Sequence, residues 1–196
     1  MTGRGAEPTY EEIRRAWKEY EASEGNIDQP LFERVGNRIR EHGFLGPDDL
    51  YLIVVWKLPA RVAQTNAGKA LFNNAPEEIE KVTRRALEAV TADKSETAAI
   101  KAVGILDDLP QVGIPFASAI LAFFDPKWFG AVDENAWRAL GWPDEGEWEP
   151  KDYGTYLTRI REIGEQCNLT PREVDAALYW IGSEMPGGKT RPTSSW

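Results

Sequence analysis

The chain holds one cysteine and one histidine in 196 residues. A single thiol, Cys167, excludes an intramolecular disulfide and a four-cysteine iron–sulfur cluster, and Cys167 with His42 makes too few ligands for a zinc site. No run approaches the roughly 18 to 20 apolar residues that a membrane helix needs. Residues 1–7 lack the apolar core of a signal peptide, so the expected location is the cytoplasm. Positive charge is also scarce. Lys and Arg number 23 against 32 Asp and Glu, and the net charge of -9 opposes the non-specific attraction to phosphate that supports nucleic-acid binding. The acidic side is locally concentrated, because Asp144, Glu145, Glu147, Glu149 and Asp152 lie within one loop. A positive face elsewhere is compatible with that total.

What is present is helical periodicity. At 42% hydrophobic residues the length suits one large domain or two small ones sharing a core. Residues 9–23 read as a helix, with Thr9 as N-cap, Glu12 at the capping-box position and Ile13, Trp17 and Tyr20 as its stripe. Glu24, Gly25 and Asn26 read as its end. Pro30 opens a second helix that runs to His42 and stops at Gly43. Residues 47–58 are apolar nearly all round, which marks a buried helix; Pro59 breaks it and leaves Trp56, Lys57 and Arg61 around its C-terminal end. Further helices are expected over 76–91, 95–107, 153–167 and 170–185. About ten helices and no convincing strand give an all-α class. The stretch 187–196 reads as a tail, and its Gly-Gly-Lys-Thr lacks the first glycine, strand and helix of a nucleotide-binding P-loop.

The middle of the chain is the informative part. Leu109-Pro110-Gln111-Val112-Gly113 leads into an apolar run of helical period, and Gly113 supplies a residue that tolerates a positive backbone torsion. Such a hairpin presents backbone N–H groups at a helix N-terminus, where a phosphate binds. Asp133, 20 residues after Gly113, stands at the start of another helix. A donor nest and a carboxylate on rigid elements suggest chemistry on a nucleic acid.

Leu109-Pro110-Gln111-Val112-Gly113 with Ala117 resembles the Leu-Pro-Gly-Val-Gly-x-Lys-x-Ala hairpin of the helix-hairpin-helix DNA glycosylases, the endonuclease III and 8-oxoguanine glycosylase superfamily. Val132-Asp133-x-Asn135 is similar to its Val-Asp-x-His segment. The resemblance implies a six-helix barrel over 45–142, with the hairpin at about 99–124, and a second helical domain built from 1–44 and 143–196. It implies DNA-backbone contacts at Gln111, Val112, Gly113, Phe116, Ala117 and Asn135, the last standing where relatives carry a phosphate-contacting histidine. It further implies a monovalent cation at the backbone carbonyls of Asp107, Leu109 and Val112, and a base pocket near Trp56 and Lys57, where relatives carry Ser-Ala-Gln-Ala-Thr. Two departures matter. Gln111 replaces the first glycine of the motif, and Pro115 occupies the place of the Schiff-base lysine of bifunctional members, which argues against lyase chemistry.

Cleavage of an N-glycosidic bond builds positive charge on the sugar, which a carboxylate beside the anomeric carbon stabilises while it orients or deprotonates water. Asp133 is the expected catalytic carboxylate; the same residue also has the chemistry of a helix N-cap. Trp128, Phe129, Trp137 and Trp142 fit a stacking surface or a core cluster. Trp56 and Lys57 fit a pocket wall, or a core tryptophan and a solvated basic head. The expected function is a monofunctional DNA glycosylase of base-excision repair. It acts as a monomer on lesion-containing double-stranded DNA, without cofactor and close to the nucleoid. The alternative is a catalytically silent helical module that binds DNA structure or a protein partner.

Overall fold

The computed structural model describes residues 6–58, 73–143 and 147–188. Arg61 and the stretch 63–72, Asp144 and Glu145, and the tail from 189 onward lie outside the described residues. Among the described residues the chain is all-α, with nine α-helices, one π-helical segment and no strand.

Local chemistry sets most helix starts. Thr9 caps α1 (Tyr10–Tyr20), accepting from Glu12 N–H while its own N–H donates to the Glu12 carboxylate at 2.7 Å. After the glycine stop at Gly43 (φ 73°), Pro47 opens α3 (Pro47–Lys57). Pro76 opens α4 (Pro76–Ala92), and Ser95 caps α5 (Glu96–Asp107) through a 3.1 Å bond from Ala98 N–H. The hairpin then leads into α6 (Ile114–Phe124), and Asp133 caps the short α7 (Glu134–Ala139). Pro150 opens α8 (Pro150–Cys167), where Glu149 and Asp152 form a second capping box, and Thr170 with Glu173 forms a third at α9 (Pro171–Glu184).

The expected break at residues 24–26 does not occur. The chain passes from α1 through a π-helical segment, Glu21–Gly25, into α2 (Asn26–His42), and Pro30 lies inside α2. Gly25 takes a right-handed conformation (φ -58°, ψ -34°) and so does not stop a helix as Gly43 does. Proline removes a bond from the i→i−4 ladder, and the wide π-helical turn just upstream is where this helix departs from α geometry.

α6 is the central element. Ile114 and every residue from Ala117 to Phe124 are buried, and α6 packs against α2, α3, α5 and α8. α2 comes so close that a Cβ on Gly36 would stand 2.4 Å from the Phe123 carbonyl oxygen. Helices from the two ends of the chain meet as well, since α1 packs on α8 and α9, while α9 packs on α7. One apolar core runs through all of these, from Ile13 and Val35 through Phe123 and Phe129 to Tyr156 and Val174. The residues around Asp133 are therefore held between α3, α8 and α9.

Candidate functional site

The hairpin turn is built from inward anchors and an outward backbone. Leu109, Val112 and Ile114 are each 1% exposed, whereas Pro110, Gln111 and Gly113 face solvent. The α5 end tightens through Asp108 N–H to Ile105 O (3.3 Å) and Leu109 N–H to Leu106 O (3.1 Å). Asn74 Nδ2 ties the turn to the start of α4 by donating to Pro110 O at 3.1 Å. The left-handed residue is Gln111 (φ 68°), at the position of the motif's first glycine, while Gly113 is extended (φ -71°, ψ 173°). This corrects the expectation that Gly113 supplies the positive torsion. A Cβ on Gly113 would meet only Pro115 Cδ, at 3.9 Å. Neither torsion nor crowding within the protein demands glycine there; its effect is to leave the exposed backbone bare.

The donor set is narrower than expected. Val112 N–H is engaged with Leu109 O (2.9 Å), and the N–H groups of Phe116 and Ala117 both bond to Gly113 O (2.9 and 3.0 Å). Those three residues have no backbone donor for a phosphate. The N–H groups of Gln111, Gly113 and Ile114 have no acceptor among the described residues, and Pro115 has no N–H. The Leu109 carbonyl, one of the three expected at a monovalent cation, keeps its second lone pair beyond the Val112 bond. Asn135 also departs from expectation. It is buried, its Oδ1 accepts from Arg138 Nη1 at 3.0 Å, and its backbone carbonyl fits against Gly182, where a Cβ would stand only 1.9 Å away. A phosphate contact through Asn135 requires its side chain to leave that position.

Beyond α6 the chain turns at Asp125, which accepts from Trp128 and Phe129 N–H at 3.0 Å each, and runs as irregular backbone to Asp133. Asp133 Oδ1 accepts from Ala136 N–H at 2.9 Å, so the expected N-cap is present. Lys57, the last residue of α3, reaches this segment from the other side. Its Nζ donates to Val132 O (2.9 Å) and Ala131 O (3.2 Å) and lies 3.7 Å from Asp133 Oδ2. The Lys57 side chain is 7% exposed and that of Asp133 22%, so the carboxylate is the solvent-reachable member of the pair. Trp56, expected near a base pocket, is a core residue. Its ring meets Phe32 and Phe123 edge-on at 5.2 Å each, and the Arg172 guanidinium lies 5.2 Å from its centroid. Trp137 is likewise core, at 4.4 Å from Trp142 and 4.7 Å from Trp148, whereas Trp128 is exposed beside Arg161.

Behind Asp133 lies a buried polar cluster. Tyr156 donates to Asp175 Oδ1 (2.7 Å), and Arg172 bridges Asp175 Oδ2 (2.8 Å) to Asp28 Oδ2 (3.2 Å). Tyr20 also donates to Asp28. Asp175 touches the segment before Asp133, since a Cβ on Gly130 would stand 3.0 Å from Asp175 Cβ. Burial pushes the Asp175 carboxyl above the usual range and Asp133 adds to that push, while Arg172, Lys57 and the Tyr156 hydroxyl pull it down. Lys57 thus acts electrostatically on both carboxylates. The sequence does not point to Arg172, Asp175 or Asp28 as site residues, and it places Tyr20 and Tyr156 only on the buried sides of their helices. The periodicity carries no signal for Arg172: at about 3.6 residues per turn it stands about 160° round α9 from Val174, away from the apolar stripe, and is buried there only because α1 packs on that helix.

Among the described residues no group of three or more His, Cys, Asp or Glu side chains is arranged to hold a metal ion, and no helix is long and apolar enough to cross a membrane. No family model matches the chain, and neither a curated protein nor a solved structure matches it.

Proposed function

We propose that this protein is a monofunctional DNA glycosylase that hydrolyses the N-glycosidic bond of a damaged, modified or mispaired base in duplex DNA. The observation that carries the reading is the pairing of a bare backbone turn at Gln111–Gly113 with a solvent-reachable carboxylate, Asp133, fixed as a helix cap. The turn takes a phosphate on the N–H groups of Gln111, Gly113 and Ile114. The target nucleotide is flipped out of the duplex. As the bond to the base breaks, the base leaves with the bonding electron pair and the Asp133 carboxylate stabilises the cationic sugar; water adds at the anomeric carbon, its proton passes to Asp133 Oδ2 and on to solvent, and solvent protonates the departed base. Lys57 Nζ is engaged with two carbonyls and faces the Asp133 carboxylate, and Pro115 stands where an imine-forming lysine would be; both support release by water rather than by an amine.

On this reading the described helices belong to a six-helix barrel over 45–142 with a second helical domain from both chain ends. The protein works as a monomer in base-excision repair at the nucleoid. The test uses duplexes that each carry one uracil, 8-oxoguanine or ethenoadenine. The protein releases the base from at least one of them, Asp133→Asn abolishes release while keeping the helical circular dichroism spectrum, and borohydride during turnover traps no protein–DNA adduct. Equal release by Asp133→Asn, or a trapped adduct lost in Lys57→Ala, overturns the assignment. The net charge of -9 favours a second reading, a catalytically silent helical module that binds DNA structure or a protein partner. It predicts binding without base release across the whole panel.

A further inference from the structure

The contacts of Lys57 point beyond charge balance. Among its contacts are the carbonyls of the two residues immediately before Asp133 and the Asp133 carboxylate itself. One side chain from α3 therefore grips both the backbone that delivers Asp133 and the group that Asp133 presents. We propose that Lys57 is a positioning residue that fixes the Asp133 carboxylate for attack at the sugar, an inference that rests on the glycosylase reading above.

Three features support it. The cap bond from Ala136 N–H holds Oδ1, and the ammonium faces Oδ2, so both ends of the carboxylate are located. The 3.7 Å separation is longer than a hydrogen bond, so Oδ2 stays available to a water molecule or to the cationic sugar. Asp175 packs against the backbone that leads to Asp133. Lys57 draws the Asp175 carboxyl down while Asp133 pushes it up, so the same ammonium supplies counter-charge to the acidic residues on both sides of this backbone.

The experiment compares Lys57→Met and Lys57→Arg with the wild type on the same three lesion duplexes, with kcat and KM measured separately and thermal melts recorded. Lys57→Met lowers kcat by about a hundredfold, the effect expected when a reacting group moves by about 1 Å, and leaves KM within about threefold. Lys57→Arg restores part of the lost kcat, because charge is kept but the planar head does not reproduce the two carbonyl bonds together with the facing carboxylate. Wild-type kcat in Lys57→Met, or a loss confined to KM, overturns the inference. If Lys57→Met does not fold, Lys57→Arg decides alone: reduced kcat at unchanged KM supports it, and wild-type kcat overturns it. If the wild type releases no base, the glycosylase reading fails, and a stability cycle with Asp133→Asn tests the clamp by itself. Melting-temperature losses smaller in the double variant than the sum of the singles support the clamp, and additive losses overturn it.

Discussion

The hairpin turn and the Asp133 junction solve opposite problems. At the turn the side chains anchor inward and the backbone faces out, so recognition is left to N–H groups that almost any residue supplies. Gln111 can therefore stand where the related motif has glycine, at the expense of a left-handed torsion. At the junction the backbone is enclosed and the side chains carry the charge: Lys57 and Arg172 lie among Asp28, Asp133 and Asp175 with little water to screen them. A buried charge without its partner is far more costly than an exposed turn with an unusual residue. Substitution tolerance should differ accordingly between two regions that serve the same proposed reaction.

The largest effect is expected at Arg172. Arg172→Met fills much of the volume but leaves Asp28 and Asp175 without their shared cation, and removing one partner of a buried pair costs about 3–5 kcal/mol. Urea unfolding measures it; a loss below about 1 kcal/mol, typical of surface pairs, would place the network in solvent.

Next comes alkaline pH. Burial pushes the phenols of Tyr153 and Tyr156 far above their ordinary range. Their folded-state pKa values lie above the unfolded value of about 10, so their contribution is fully present below about pH 10 and is lost as pH rises further. Each adds a slope of about 1.4 kcal/mol per pH unit to the loss of stability. Tyr153→Phe, which removes a 3.2 Å bond to Gly130 O along with the phenol, should take away about half of the slope that the two supply. An unchanged slope for Tyr153→Phe in urea melts above about pH 10 would show that the Tyr153 phenol ionises in the folded protein as it does in the unfolded chain. Residues 109–113 contain no titratable side chain, so substitutions there leave the slope alone.

The smallest effects belong to the turn and separate folding from binding. Gln111→Gly relieves the positive torsion and should raise stability by about 1 kcal/mol. Gly113→Ala has an ordinary torsion and an open neighbourhood, so stability stays within about 0.5 kcal/mol. Its methyl group nevertheless intrudes where a phosphate approaches, and duplex affinity in a titration should fall about fivefold, the equivalent of one hydrogen bond of about 1 kcal/mol. Loss of fold with intact affinity would reverse the roles given to the two positions.

What the sequence determined by itself was local. Thr9 with Glu12, Ser95, Asp133, and Thr170 with Glu173 act on N–H groups within one turn of themselves, and each helix starts where those residues stand. The all-α class followed from the same periodicity, as did the buried character of α3 and α6. Three things were decided only by tertiary structure. Gly25 and Gly43 are the same residue type, yet one continues a helix and the other ends it, because surrounding packing selects the torsion that glycine leaves open. In the hairpin, the positive torsion fell on Gln111 rather than Gly113, because the anchors Leu109, Val112 and Ile114 set the path of the chain between them. The charged junction joins residues as far apart as Asp28 and Arg172, and Lys57 and Val132. No local pattern encodes such pairs, since each side chain finds its partner only after α3, α8 and α9 have packed around the segment before Asp133.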